Sequence, residues 1–177
     1  MRRVCHTSCK QQAPLVLGVL AILIVAVAVF LFLLSLEPNY FDEAAVRGTP
    51  DVVDGEAHGY ETFNAIGIGK AMLCGMPEIK GKDVYFYLTN PEDNTVAIRL
   101  EIYTPLMVQK SDGSYEPVPD KLLGESGFIR PGEYVERVQL DKRLAAPRTN
   151  VMIKIATLDE ATGRSNGYFF VNTVLVQ

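Results

Sequence analysis

The hydrophobic pattern divides the chain at Leu36. From Leu15 to Leu36, twenty-two residues pass without a charged side chain. A helix of that length reaches about 33 Å, enough to cross a hydrocarbon core of roughly 30 Å. Beyond it the pattern shortens to runs of period two, broken by turn residues. Val96, Ile98, Leu100 and Ile102 alternate with Ala97, Arg99 and Glu101, which predicts a half-buried strand over Thr95–Tyr103, with Ile98 inward and Arg99 outward. Val151, Ile153 and Ile155 alternate in the same way around an outward Lys154.

Turn chemistry supplies the connections. Asn90-Pro91-Glu92-Asp93-Asn94 joins a strand over Asp83–Thr89 to the one beginning at Thr95, and Ser111-Asp112-Gly113-Ser114 closes a second hairpin between Met107–Lys110 and Tyr115–Val118. Pro131-Gly132 precedes another strand, in which Val135 and Val138 differ in parity. A β-bulge near Glu136 and Arg137 would return both to the core. The last strand, Tyr168–Val176, has apolar residues at both parities, so its facing is open. Ile66–Ala71 (IGIGKA) reads as a first strand with glycines at a bulge, because the P-loop spacing fails at Asn64 and Ala71. Seven to nine strands with no helix after Leu36 predict an all-β, antiparallel two-sheet sandwich, immunoglobulin-like or Greek key, preceded by one transmembrane helix.

Charge orients the anchor. Arg2, Arg3 and Lys10 precede it and Glu37, Asp42 and Glu43 follow, so residues 1–12 are expected in the cytoplasm, 13–36 in the lipid bilayer, and the remainder outside the cell. The alternative is a cleaved signal peptide, although the apolar run is long for one and no A-x-A pattern closes it. Residues 37–60, rich in acids, Gly and Pro, read as an extracellular linker, leaving 61–177 as the domain. Of 17 basic and 21 acidic residues, three basic and no acidic ones precede Glu37, so the outer part carries 14 − 21 = −7. That disfavours nucleic acid as a partner. Cys74 is the one cysteine outside, so no intradomain disulfide is expected. With no N-x-S/T sequon present, a bacterial surface is favoured. Cys5, His6 and Cys9 fall one ligand short of a structural zinc site.

Three phrases, VYFYLTNPEDNTVAIRLEIY, SGFIRPGEYVERVQL and SNGYFFVNTVLV, resemble small, single-anchor, immunoglobulin-like surface proteins of Gram-positive gut bacteria of the Clostridia group, some from mobile-element regions. The resemblance covers roughly Ile66–Gln177. The chain departs from it at the Asp141–Thr149 connection and around Ser111–Glu125. It implies the fold, no reaction, no ligand and no site residues.

Catalytic chemistry is poorly provided for. His58, the one histidine outside, lies in the expected linker, no GxSxG, HExxH or SxxK pattern occurs, and the pairs Glu92-Asp93 and Asp159-Glu160 sit at turn tips. No cofactor, metal or catalytic residue is assigned. The expected function is a non-catalytic binding or adhesion module meeting a surface protein or glycan. The alternatives are a structural subunit of an envelope or mobile-element assembly and, after it, an unrecognised hydrolase. Candidate contacts are Tyr85, Tyr87, Tyr103, Tyr115 and Lys121, against a competing role in cross-strand stacking. In an immunoglobulin-like order the first strand would start beside the Asn90–Asn94 and Asp159–Gly167 turns. That end would then lie toward the membrane, and the partner would meet the end carrying Ser111–Ser114 and Asp141–Thr149.

Overall fold

A computed structural model describes residues 22–30, 40–51 and 60–177. Residues 22–30 are helical with exposed, apolar side chains. The rest of the expected span and the segment expected to be cytoplasmic, with Cys5, His6 and Cys9, lie outside the described residues. Among those described, no helix is long and apolar enough to cross a membrane.

The second unit, Tyr40–Gln177, is all-β. Its strands are β1 (Val46–Arg47), β2 (Tyr60–Ala65), β3 (Gly69–Cys74), β4 (Glu78–Lys80), β5 (Asp83–Tyr85), β6 (Leu88–Thr89), β7 (Ala97–Gln109), β8 (Tyr115–Glu125), β9 (Glu133–Val135), β10 (Val138–Gln139), β11 (Arg148–Asp159) and β12 (Arg164–Val176). They form a five-stranded sheet, β1-β9-β6-β3-β2, and a seven-stranded sheet, β10-β5-β4-β12-β11-β7-β8. One core joins them, with Ala71, Leu73, Leu88 and Val135 from the first sheet meeting Ile98, Leu100, Ile102, Val151, Ile153 and Ile155 from the second. Strand facing on β7 and β11 is as the alternation predicts.

The parity break at Val135 and Val138 has a different cause from the expected bulge. Both side chains are buried, but residues 136–137 are where the chain leaves the five-stranded sheet as β9 and enters the seven-stranded one as β10. The expected strand Asp83–Thr89 is divided in the same way into β5 and β6, with Phe86 wholly buried at the crossing and Tyr87 at φ 51°. These two switches account for much of the excess of twelve strands over the expected seven to nine. IGIGKA is not one strand either: it straddles the Ile66–Ile68 turn, and β3 begins only at Gly69.

The expected linker is partly folded. Tyr40 accepts a hydrogen bond from the Phe128 amide (2.8 Å), the Asp42 amide donates to the Phe128 carbonyl (2.8 Å), and Asp42 Oδ2 accepts from the Gly127 amide (2.8 Å). A Cβ on Gly127 would lie 2.5 Å from the Asp42 nitrogen, so glycine permits this docking. Residues 52–59, including His58, lie outside the described residues.

The edges of the sheets differ. Gly124 of β8 bridges to Leu140, just beyond β10, so the lateral edges of the seven-stranded sheet meet at one point. A Cβ at Gly124 would stand 2.5 Å from the Gln139 carbonyl oxygen. Past Tyr103, β7 pairs only with β8, and the two form an arm beyond β11. The Lys110 amide donates to the Ser114 carbonyl (2.8 Å). Alternation from that bond makes Val108↔Glu116 and Leu106↔Val118 hydrogen-bonded pairs. Pro105, Pro117 and Pro119 therefore occupy non-bonded positions and turn their nitrogens outward, removing one outward donor from the β7 edge of the arm and two from the β8 edge. The edge strand β2 carries no proline at all.

Candidate binding face

The turns group as expected. Asn94 accepts from the Lys70 amide (3.1 Å), Lys70 pairs with Asp93, and Arg130 Nε lies 3.7 Å from Glu160. This places the 65–69, 90–94, 130–132 and 159–164 turns at one acidic end. Ser111–Ser114 and the 141–147 connection lie at the other. The first long strand does not start at the acidic end, however: β2 begins with Tyr60 opposite Cys74 and reaches that end only at Ala65 opposite Gly69. The unit starts earlier, at Tyr40, with residues 40–51 already folded against Phe128 and Gly132.

Opposite the core, the alternate residues of β7, β11 and β12 build an outer face. Arg99, Glu101 and Tyr103 stand beside Ala156, Lys154 and Met152, which stand beside Tyr168, Phe170 and Asn172. At its centre Glu101 is 3 % exposed, contrary to the outward, solvated position its parity predicts. Its Oε1 accepts from Arg99 Nη2 (2.6 Å) and Nε (3.0 Å), and its Oε2 from the Tyr103 hydroxyl (2.6 Å) and Lys154 Nζ (2.9 Å). Burial by itself raises the carboxyl's pKa. The bonds from Tyr103, Lys154 and Arg99 outweigh that and hold it below the ordinary glutamate value. Burial first, and then the bond to Glu101, push the Tyr103 phenol up to about 12. Among the described residues no buried side-chain polar atom lacks a partner, so Glu101 is a satisfied ion and not a poised acid or base.

Aromatic rings rest on this network. Lys154 Nζ lies 5.1 Å above the Tyr168 ring, Arg99 Cζ lies 5.1 Å above Phe128, and Tyr168 meets Phe170 edge to face at 5.5 Å. Tyr168 is 54 % exposed and Phe170 38 %. The alternation on β7 carries the face from Tyr103 to Pro105, Met107 and Gln109, opposite Leu122, Pro119, Pro117 and Tyr115 of β8, with the register of β8 shifting on either side of Tyr103. That continuation bears no charge, and Met107 and Tyr115 are among its most exposed side chains.

Of the sequence candidates, Tyr103 and Tyr115 lie on this face, with Lys121 exposed at the arm's base, where its amide donates to Thr104 Oγ1 (3.1 Å). Tyr85 and Tyr87 are elsewhere, at the corner where the chain changes sheets. Their rings are 6.4 Å apart and tilted, and Lys80 Nζ is 5.1 Å over Tyr85. They neighbour one another along the chain and do not stack across strands. The sequence pattern does not single out Tyr168 and Phe170, although apolar residues at both parities of the last strand are their signal. Among the described residues no group of three His, Cys, Asp or Glu could hold a metal. Cys74 is buried, and burial pushes its thiol up.

Compared with protein-family models, with curated proteins and with solved structures, the chain matches none.

Proposed function

We propose that the chain is a non-catalytic binding module of the bacterial cell surface, held by a transmembrane helix over residues 13–36 with its C-terminal domain outside, of the immunoglobulin-like kind its sequence resembles. Its contact face is the outer face of β12, β11, β7 and β8 together with the arm. One observation carries this reading: Tyr168, Phe170, Leu122, Met107 and Tyr115 are exposed along a single face, while the outward prolines of the arm discourage strand addition there. Exposed apolar patches of this kind mark interaction sites. On the arm the partner is then met chiefly by side-chain packing. Rings such as Tyr168 and Phe170 suit the apolar face of a sugar or the rim of a protein surface.

Crosslinking in cells followed by mass spectrometry tests this, comparing the parent with Tyr168→Ala/Phe170→Ala. A partner retrieved by the parent and lost by the folded variant supports the proposal. Equal retrieval refutes it. A second reading, a structural subunit of an envelope or mobile-element assembly, is favoured by the proline-free edge of β2, and predicts retrieval of a large complex that survives the double variant.

A further inference from the structure

We infer that β2 is the seam of a two-fold dimer of this chain. Its register against β3 fixes which backbone groups are free. The Cys74 amide donates to the Phe86 carbonyl (2.8 Å), and Lys70 donates to and accepts from the Asn94 side chain (3.1 and 2.7 Å). Residues 70, 72 and 74 of β3 therefore turn their polar groups away from β2. Their partners Asn64, Thr62 and Tyr60 must then turn theirs away from β3. Among the described residues nothing bonds these three N–H and three C=O groups.

The free edge is complementary to itself. Two copies of β2 run antiparallel about an axis at Thr62 would set Thr62 opposite Thr62, Tyr60 opposite Asn64 and Glu61 opposite Phe63. All six outward groups of each copy would be bonded, threonine would face threonine, and the strand's single charge would meet no like charge. The two five-stranded sheets would become one of ten strands.

A two-fold pairing of β2 uses that edge in both copies and so closes at two. β1 and β10 are two residues long, and β8 carries outward prolines and is tied at Gly124 to Leu140. Among the described residues β2 and the outer side of β12, which meets β4 only at Val176, are left without such protection, and the YETFNA sequence of β2 holds neither proline nor lysine. A single strand pair buries less than the roughly 1,200–2,000 Å² of a standard interface, so the dimer is weak in dilute solution and is best trapped covalently.

The test uses the full chain in membranes, with Cys5→Ser and Cys9→Ser. In the proposed dimer Thr62 lies about 5.5 Å from its copy, Cα to Cα, whereas the two Asn64 residues are roughly 13 Å apart. Thr62→Cys with a short thiol-to-thiol crosslinker should give covalent dimer, and Asn64→Cys at least ten-fold less. Thr62→Pro removes no bond to β3, so the domain should stay folded while chemically crosslinked dimer falls at least ten-fold. Adding Asn64→Pro to Thr62→Cys should abolish the thiol-linked dimer. Equal yields at positions 62 and 64, or a dimer fraction insensitive to both prolines, would overturn the inference.

Discussion

The amide of Tyr87 donates to the carbonyl of Glu136 at 3.0 Å, at the point where two neighbouring strand pairs pass together from one sheet into the other. Tyr87 makes that passage in the left-handed region, at φ 51°, where a branched side chain fits poorly. Tyr87→Val should therefore be less stable than Tyr87→Asn by about 1–2 kcal/mol in urea unfolding, since Asn tolerates this conformation. Equal stability would mean that the corner relaxes without strain.

The closure of the seven-stranded sheet rests on a missing side chain. Because a Cβ at Gly124 would be 2.5 Å from the Gln139 carbonyl oxygen, Gly124→Ala should cost about 1–3 kcal/mol through forced backbone displacement. Thermal melting of this variant beside Gly113→Ala, whose Cβ would meet nothing within 4 Å, separates crowding from turn strain.

On β7 a conservative reading of alternation makes Ile98 critical and Arg99 expendable. Ile98→Asp should unfold the domain, because an unpaired buried charge costs several kcal/mol, comparable to the stability of a small domain. Arg99 is no free surface cation, since its guanidinium bonds the buried Glu101. Arg99→Asp should cost about 1–3 kcal/mol, above the under 1 kcal/mol of an ordinary surface change. Circular dichroism in urea would rank the two.

Acid should expose the same network. The folded Glu101 carboxyl titrates below its ordinary value, so its contribution is complete above about pH 4.3 and is lost as pH falls below that. Asp93, Asp112 and Asp159 are also held low, so some acid sensitivity must persist without Glu101. Glu101→Gln should flatten, but not abolish, the fall in stability below pH 4. An unchanged profile would show that Glu101 gains nothing from its three donor residues on folding.

Local pattern made β7, β11 and the SDGS turn legible, because facing and turn type depend on residues close in sequence. The sheet-switching corner was not, since Val135 and Val138 break parity in the same way for a bulge as for a change of sheet, and only the distant partners Leu88 and Val84 distinguish them. The burial of Glu101 was hidden for a similar reason, because Lys154 arrives from a strand more than fifty residues away. Tyr103 and Tyr115 could be singled out as aromatic residues on strands. That they share a face with Tyr168 and Phe170 follows only from the order β12-β11-β7-β8.

The contact face is tested most directly by photo-crosslinking residues placed one at a time in the intact chain, in cells. Positions 170 and 115 on the outer face and arm should form adducts with the partner, whereas positions 92 and 159 at the acidic end should form few or none. Adducts confined to positions 92 and 159 would contradict the account.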